Sequence, residues 1–174
     1  MADDTEFESL VARFYGPLYQ FAFSLTRAEA DACDLTQQAF AIWAAKGHQL
    51  RDASKVKTWL FTTLHREFLE SRRRQTRFPH SDLDTAEAEL PAVAPAAVSR
   101  LDIAHVLDSL ARVDAVFQAP IALFYLQDHS YNEIAEILDV PLGTVKSRLA
   151  RGLGQLQQLL ARDLAAGKNP PPDL

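Results

Sequence analysis

Residues 130–153 read SYNEIAEILDVPLGTVKSRLARGL. Ser130 and Glu133 stand at the spacing of a capping box, in which each side chain receives the other residue's backbone N–H and a helix starts cleanly. Ile134, Ala135 and Leu138 give that helix one apolar face. Asp139-Val140-Pro141 then makes a tight turn, because Asp tolerates the left-handed conformation and Pro is preset for a first helical turn. On the next helix Val145, Leu149, Leu153, Leu156 and Leu160 form one ridge. Thr144, Ser147, Arg148 and Arg151 fall on the other side, with Lys146 at the flank. Hydroxyl donors and guanidinium forks in front of an apolar back suit base edges and phosphate oxygens. Two short helices joined this way are a helix-turn-helix, whose second helix enters the major groove N-terminus first. The competing description is an ordinary amphipathic hairpin with a solvated basic face.

The charge pattern supports nucleic-acid chemistry in places and opposes it elsewhere. The chain has 174 residues, with 18 Lys+Arg against 23 Asp+Glu and a net charge of −5. Residues 1–38 hold seven acids and two bases, whereas residues 51–77 hold eight bases and three acids. Residues 140–162 carry Lys146, Arg148, Arg151 and Arg162 with no acid. Two local basic patches on an acidic protein attract phosphate locally while the remaining surface repels it.

Helical periodicity recurs over about 6–26, 29–45 and 55–75, and again over about 101–112, 115–127, 130–138 and 141–165. No stretch alternates as a strand would, so the expected fold is all-α. In the third segment Val56, Trp59, Leu60, Thr63 and Leu64 share a face with Ser54 as N-cap, while Thr58, Thr62, His65 and Arg66 lie opposite. Pro120 predicts a kink or a late start in its helix. Residues 78–100 contain three prolines and four acids against one base, and they read as a flexible acidic linker. The expected organisation is therefore a helical domain over 1–77, the linker over 78–100, a helix-turn-helix domain over 101–165 and a frayed tail over 166–174. The cations at 144–151 should point away from their leucine ridge on a module separate from the tryptophan-bearing bundle. A flexible linker also permits the two halves to clasp each other, and mutual masking of their DNA faces would be an off state.

Residues 130–151 resemble the region-four helix-turn-helix of extracytoplasmic-function (ECF) sigma factors of the sigma-70 family. LYQFAFSLT (18–26), DLTQQAFAIWA (34–44) and KTWLFTTLHREFLESRRR (57–74) are similar to region two of that family in order and spacing. The resemblance implies a transcription initiation factor that binds core RNA polymerase through the β′ clamp helices and the β flap and carries it to promoter DNA. Asp31, Asp34, Gln37, Gln38 and Phe40 would dock on the clamp helices. Leu50 and Arg51, with Phe61 and Arg66 nearby, would capture a flipped −10 base, and Trp59 would border the melted strand. Lys55, Lys57, Arg72, Arg73 and Arg74 would hold phosphates, and Thr144, Lys146, Ser147, Arg148 and Arg151 would meet the −35 major groove.

Departures from the family pattern carry their own expectations. Cys33 and Gln38 replace two carboxylates that would face a basic clamp. Thr36, in the first turn of that helix, is therefore a candidate phosphorylation site that a Ser/Thr kinase would use to restore the charge. Leu50 replaces the usual Phe, Arg66 a common Asn, and Val113-Asp114 the usual Leu-Pro. Gly152 and Gly154 interrupt the recognition helix, each at a cost of about 1 kcal/mol relative to Ala.

Other classes find less support. The five histidines show no ligand spacing, there is no Gly-rich phosphate loop, and Cys33 has no catalytic partner, so neither an enzyme nor a metal or cofactor is expected. The acidic N-terminus and the single cysteine suit a cytoplasmic protein without membrane insertion. The rivals are a dimeric helix-turn-helix regulator acting without polymerase, and a sigma-like adaptor that binds polymerase or an anti-sigma factor without opening promoters.

Overall fold

The computed structural model describes residues 4–75 and 103–167. The expected linker, the start of the following helix at 101–102 and the tail from 168 onward lie outside the described residues. Every regular element among them is helical: α1 (Asp4–Thr26), α2 (Glu29–Lys46), α3 (Val56–Gln75), α4 (Ile103–Ala111), α5 (Ala115–Ile121), α6 (Tyr131–Leu138) and α7 (Leu142–Ala165). No helix among the described residues is long and apolar enough to cross a membrane.

Two residues join α1 to α2, and Arg27 adopts a left-handed conformation (φ 57°) to make the reversal. Leu18, Phe21, Ala22 and Leu25 of α1 pack on Ala32, Leu35 and Ala39 of α2 and on Leu60 and Leu64 of α3. A polar stretch with two single 3-10 turns, Gly47–Gln49 and Ala53–Lys55, connects α2 to α3. Asp52, not Ser54, caps the entry to α3: its carboxylate accepts the Ser54 N–H at 2.9 Å and the Ser54 hydroxyl at 2.7 Å. Those bonds favour the ionised carboxyl and lower its pKa.

In the C-terminal half α5 ends early. Pro120 has no N–H to return to the preceding turn, and the backbone widens directly after it into a π-type turn, Ala122–Leu126. The Gln127 N–H reaches the Ala122 carbonyl at 3.2 Å across that turn. The single helix expected over 115–127 is thus two geometries in series. Gly152 of α7 has a packing reason: a Cβ there would sit 2.6 Å from Ile121 Cδ1 and 2.7 Å from Phe117 Cβ, so glycine lets α5 and α7 approach. Gly154 faces open space. Asp114 opens α5, giving its N–H to Gln155 Oε1 at 3.0 Å and receiving Gln155 Nε2 at 2.8 Å, which ties α5 to α7.

The two helical domains pack against each other rather than standing apart. One continuous apolar core runs from α1–α3 into α5–α7. The reason lies in α3, whose second face is buried as well as its first. Thr58 and His65, expected opposite the apolar face, are buried, and Phe61 has no exposed surface. His129, in the turn before α6, lies edge-on to Phe61 with ring centroids 4.6 Å apart. Phe21 links the Phe61 and His65 rings from beneath, at 5.4 and 6.5 Å.

Both histidines are held neutral. Burial, with Lys57 in support, pushes His129 from 6.5 down to about 4, against the opposing pull of Glu133 and Asp128. Burial, with Arg148 nearby, pushes His65 from 6.5 down to about 4. Above pH 6.5 the rings are neutral folded or unfolded. Between 6.5 and about 4 the unfolded chain takes up protons that the folded chain refuses, so the folded state loses stability as pH falls through that window. Thermal unfolding should therefore show a falling midpoint from pH 6.5 to 4, and a double His65→Gln, His129→Gln variant should flatten the slope. Gly154→Ala should stabilise by up to about 1 kcal/mol in chemical denaturation, whereas Gly152→Ala should destabilise because helix propensity cannot offset the clash.

Candidate nucleic-acid interface

The helix-turn-helix forms as its residues require. The Ser130 N–H donates to Glu133 Oε2 at 2.7 Å and the Glu133 N–H to Ser130 Oγ at 3.2 Å, and the first of these holds the Glu133 carboxyl below its usual pKa. Asp139 is left-handed (φ 54°, ψ 51°) and turns the chain between α6 and α7. Pro141 serves as N-cap of α7, one place earlier than a first-turn residue, and its carbonyl receives the Thr144 and Val145 N–H groups. Val145, Leu149, Leu153 and Leu156 are buried behind the helix as the ridge predicts, and Leu160 is half-buried.

In front, Lys146 is exposed, and Thr144, Arg148 and Arg151 are half-buried. Ser147 departs from the outward-facing expectation: it is buried and its hydroxyl donates to the Thr144 carbonyl at 3.1 Å. A Ser three residues after a helical carbonyl satisfies itself this way readily. Arg148 is close enough to His65 on α3 for its charge to lower that ring's pKa.

On the N-terminal half the basic residues divide into two groups. Arg72, Arg73 and Arg74 are exposed in the last turn of α3, where cations complement the helix dipole. Arg72 lies over the Phe68 ring at 5.7 Å and Arg73 is 3.5 Å from Glu70. Lys55 and Lys57 are engaged instead: Lys55 Nζ lies 3.2 Å from Glu136 Oε2 of α6, and Lys57 Nζ donates to the Gln127 carbonyl at 3.0 Å.

A cleft of about 470 Å³ opens between the loop after α2 and α3, lined by Leu50, Trp59 and Arg66 together with Lys46 and Gln49. Trp59 forms its aromatic wall and is braced edge-to-face by Trp43 at 5.1 Å. Arg51 is exposed on the same loop. Phe61 does not share this cleft. It lies on the α3 face that the C-terminal half covers, because residues two apart on a helix do not share a face.

The helix expected to dock on another protein presents Asp31, Asp34, Gln37 and Gln38 to solvent. Phe40 is buried, stacked with Tyr15 at 6.3 Å and edge-on to Phe7 at 6.5 Å, so it supports that surface from below. Gln38 donates to Glu67 of α3. A glutamate at position 38 would set two carboxylates against each other, which accounts for the amide. The Thr36 expectation is overturned: the side chain has no exposed surface and its hydroxyl donates to the Ala32 carbonyl at 2.7 Å, which leaves no room for a kinase or a phosphate. No group of three or more metal-ligating side chains occurs among the described residues.

Sequence reasoning did not single out Gln127, His129 or Glu136 of the C-terminal half, nor Asp108 of α4. They carry no periodic signal, and only the contact between the halves makes them informative.

Family models match both halves, Sigma-70 region 2 over residues 10–78 and Sigma-70 region 4 over residues 106–156. The chain is 33% identical to the ECF RNA polymerase sigma factor SigE of Mycolicibacterium smegmatis across 89% of its own length and 62% of that relative's. It is also 33% identical to the ECF RNA polymerase sigma factor SigL of Mycobacterium tuberculosis, across 76% of each chain. Among solved structures it resembles the sigma factor RpoE of Bartonella quintana, bound there to the anti-sigma factor NepR, with a TM-score of 0.71 and 27% identity over 91% of this chain and 98% of that one. CnrH in complex with the cytosolic domain of CnrY shares the fold at a TM-score of 0.67, with 24% identity over 92% of this chain and 91% of that one. With a capped helix-turn-helix in one half and, in the other, a bundle whose third helix carries the tryptophan-lined cleft and three terminal arginines, the chain belongs to the ECF RNA polymerase sigma factors of the sigma-70 family.

Proposed function

We propose that the protein is a non-catalytic initiation factor that binds core RNA polymerase and directs it to promoter DNA. The observation that carries this is the cleft bounded by Trp59, Leu50 and Arg66. It lies in a half whose α3 ends in three arginines, on a chain that also carries a helix-turn-helix. An aromatic wall with a guanidinium beside it suits an unstacked base, whose extrusion costs a few kcal/mol that a shaped pocket must return. Arg72, Arg73 and Arg74 would hold the adjoining phosphates, and Lys146, Arg148, Arg151 and Thr144 would meet the −35 major groove. Asp31, Asp34, Gln37 and Gln38 would face the polymerase clamp, with one carboxylate fewer at position 38 because Glu67 already occupies that neighbourhood. A relative of known structure is bound by an anti-sigma factor, and an inhibitor of that kind is a candidate partner here. Polymerase binding places the site of action in the cytoplasm.

The test is promoter-specific transcription by sigma-free core polymerase with and without the purified protein. Transcripts support the proposal, whereas operator binding as a dimer without polymerase contradicts it. Trp59→Ala should reduce strand opening by roughly tenfold or more, from about 1–3 kcal/mol of lost stacking, while leaving duplex binding unchanged. Lys146→Ala should weaken duplex binding uniformly across sequences and lower the salt slope by about one.

A further inference from the structure

Asp31, Asp34 and Gln38 stand three and four residues apart on α2, so they form one exposed stripe along that helix. The stripe presents two carboxylates and then, at its far end, an amide. That amide reaches across to α3, where its Nε2 donates to a carboxylate oxygen of Glu67. A cleft of about 480 Å³ runs between the two helices and is lined by all four of these side chains. Glu67 is the first α3 residue along it, and Arg72 and Arg74, five and seven residues further on, are among the last.

The surroundings of Glu67 differ from those of its neighbour. Glu70 shares its charge with Arg73, 3.5 Å away. Glu67 is held by a neutral amide instead, and among the described residues no ion pair forms on it. A hydrogen bond from an amide fixes the side chain and leaves its negative charge to act on a partner.

We propose that Glu67 is a polymerase contact: presented by Gln38, it completes with Asp31 and Asp34 an acidic edge that meets basic side chains of the core enzyme. The proposal rests on the polymerase-docking role of α2 set out above. Charge assigns the partner. A line of carboxylates repels promoter phosphates, so this edge of the bundle faces protein and not DNA. Gln38 contributes by ordering the carboxylate in advance, which lowers the entropy lost when the surfaces meet. The result is a division of labour on α3. Trp59 and Arg66 serve the base cleft, while Glu67, next in sequence to Arg66, turns toward α2. Glu67 also borders the base cleft, so core binding and promoter opening are read separately.

Two variants of the full chain test this. Glu67→Gln removes the charge and keeps an oxygen for the Gln38 amide to bond. The exchange of Glu67→Gln with Gln38→Glu moves the carboxylate across the pair without changing composition. Association with immobilised sigma-free core polymerase is followed by biolayer interferometry over a range of salt. Glu67→Gln should slow association about threefold or more near ~50 mM salt, and the difference should shrink toward ~0.5 M, because screening removes a charge effect and spares a packing effect. The exchanged chain should associate within about twofold of the unsubstituted one, since the edge regains its charge. An unchanged rate for Glu67→Gln would overturn the proposal. So would a loss that persists at high salt or that the exchange does not restore, either of which assigns Glu67 to packing. Normal association with weakened promoter opening would place Glu67 in the Trp59 cleft and overturn it as well. If the unsubstituted chain does not bind core polymerase, the docking role falls and this contact with it; if it binds and only the substitutions are silent, the docking role stands without Glu67.

Discussion

Burial of α3 on two faces is the constraint around which the molecule is arranged. Leu60 and Leu64 pack down into the three-helix bundle, while Thr58, Phe61 and His65 are buried on the side where α6 and the turn before it dock. A helix that is apolar on one stripe needs one partner, and a helix buried nearly all round needs two. Region two supplies the first partner and region four the second. The third flank of α3, with Trp59 and Arg66, stays open and forms the cleft.

That division separates two tasks that promoter recognition joins. The lysines proposed to hold phosphates, Lys55 and Lys57, contact the C-terminal half, and the cleft proposed to capture a base lies on the open side. Charge tuning follows the same economy. Gln38 replaces a carboxylate where Glu67 already stands, and the exposed arginines gather at the C-terminal end of α3 where the helix dipole welcomes them. His65 and His129 take part only as neutral rings, so their surroundings hold them well below the ordinary imidazole range.

Much of this was legible in the residues. Ser130 and Glu133, Asp139 and the Val145–Leu156 ridge are local signals, governed by backbone caps and a 3.6-residue period, and they folded as read. Local signals failed where a distant element decided the outcome. Phe61, Thr58 and His65 lie off the apolar stripe of α3, and only docking of the other half buries them. Thr36 is the eighth residue of α2, past the first turn that would welcome a phosphate, and it lies on the face turned to the core. Ser147 has the spacing of a base contact, yet satisfies its hydroxyl on its own helix. Gly152 read as a weakness until the approach of Phe117 and Ile121 gave it a purpose. Pro120 announced a disturbance in its helix, and the π-type turn that follows is its local solution.

The central claim is that the two halves of this sigma factor share α3 when the chain is alone. The most direct measurement is the NMR titration of the His129 ring in the full-length protein. The account predicts a ring that stays neutral down to about pH 4 in the free chain. A free-chain titration near the ordinary 6.5 would contradict it.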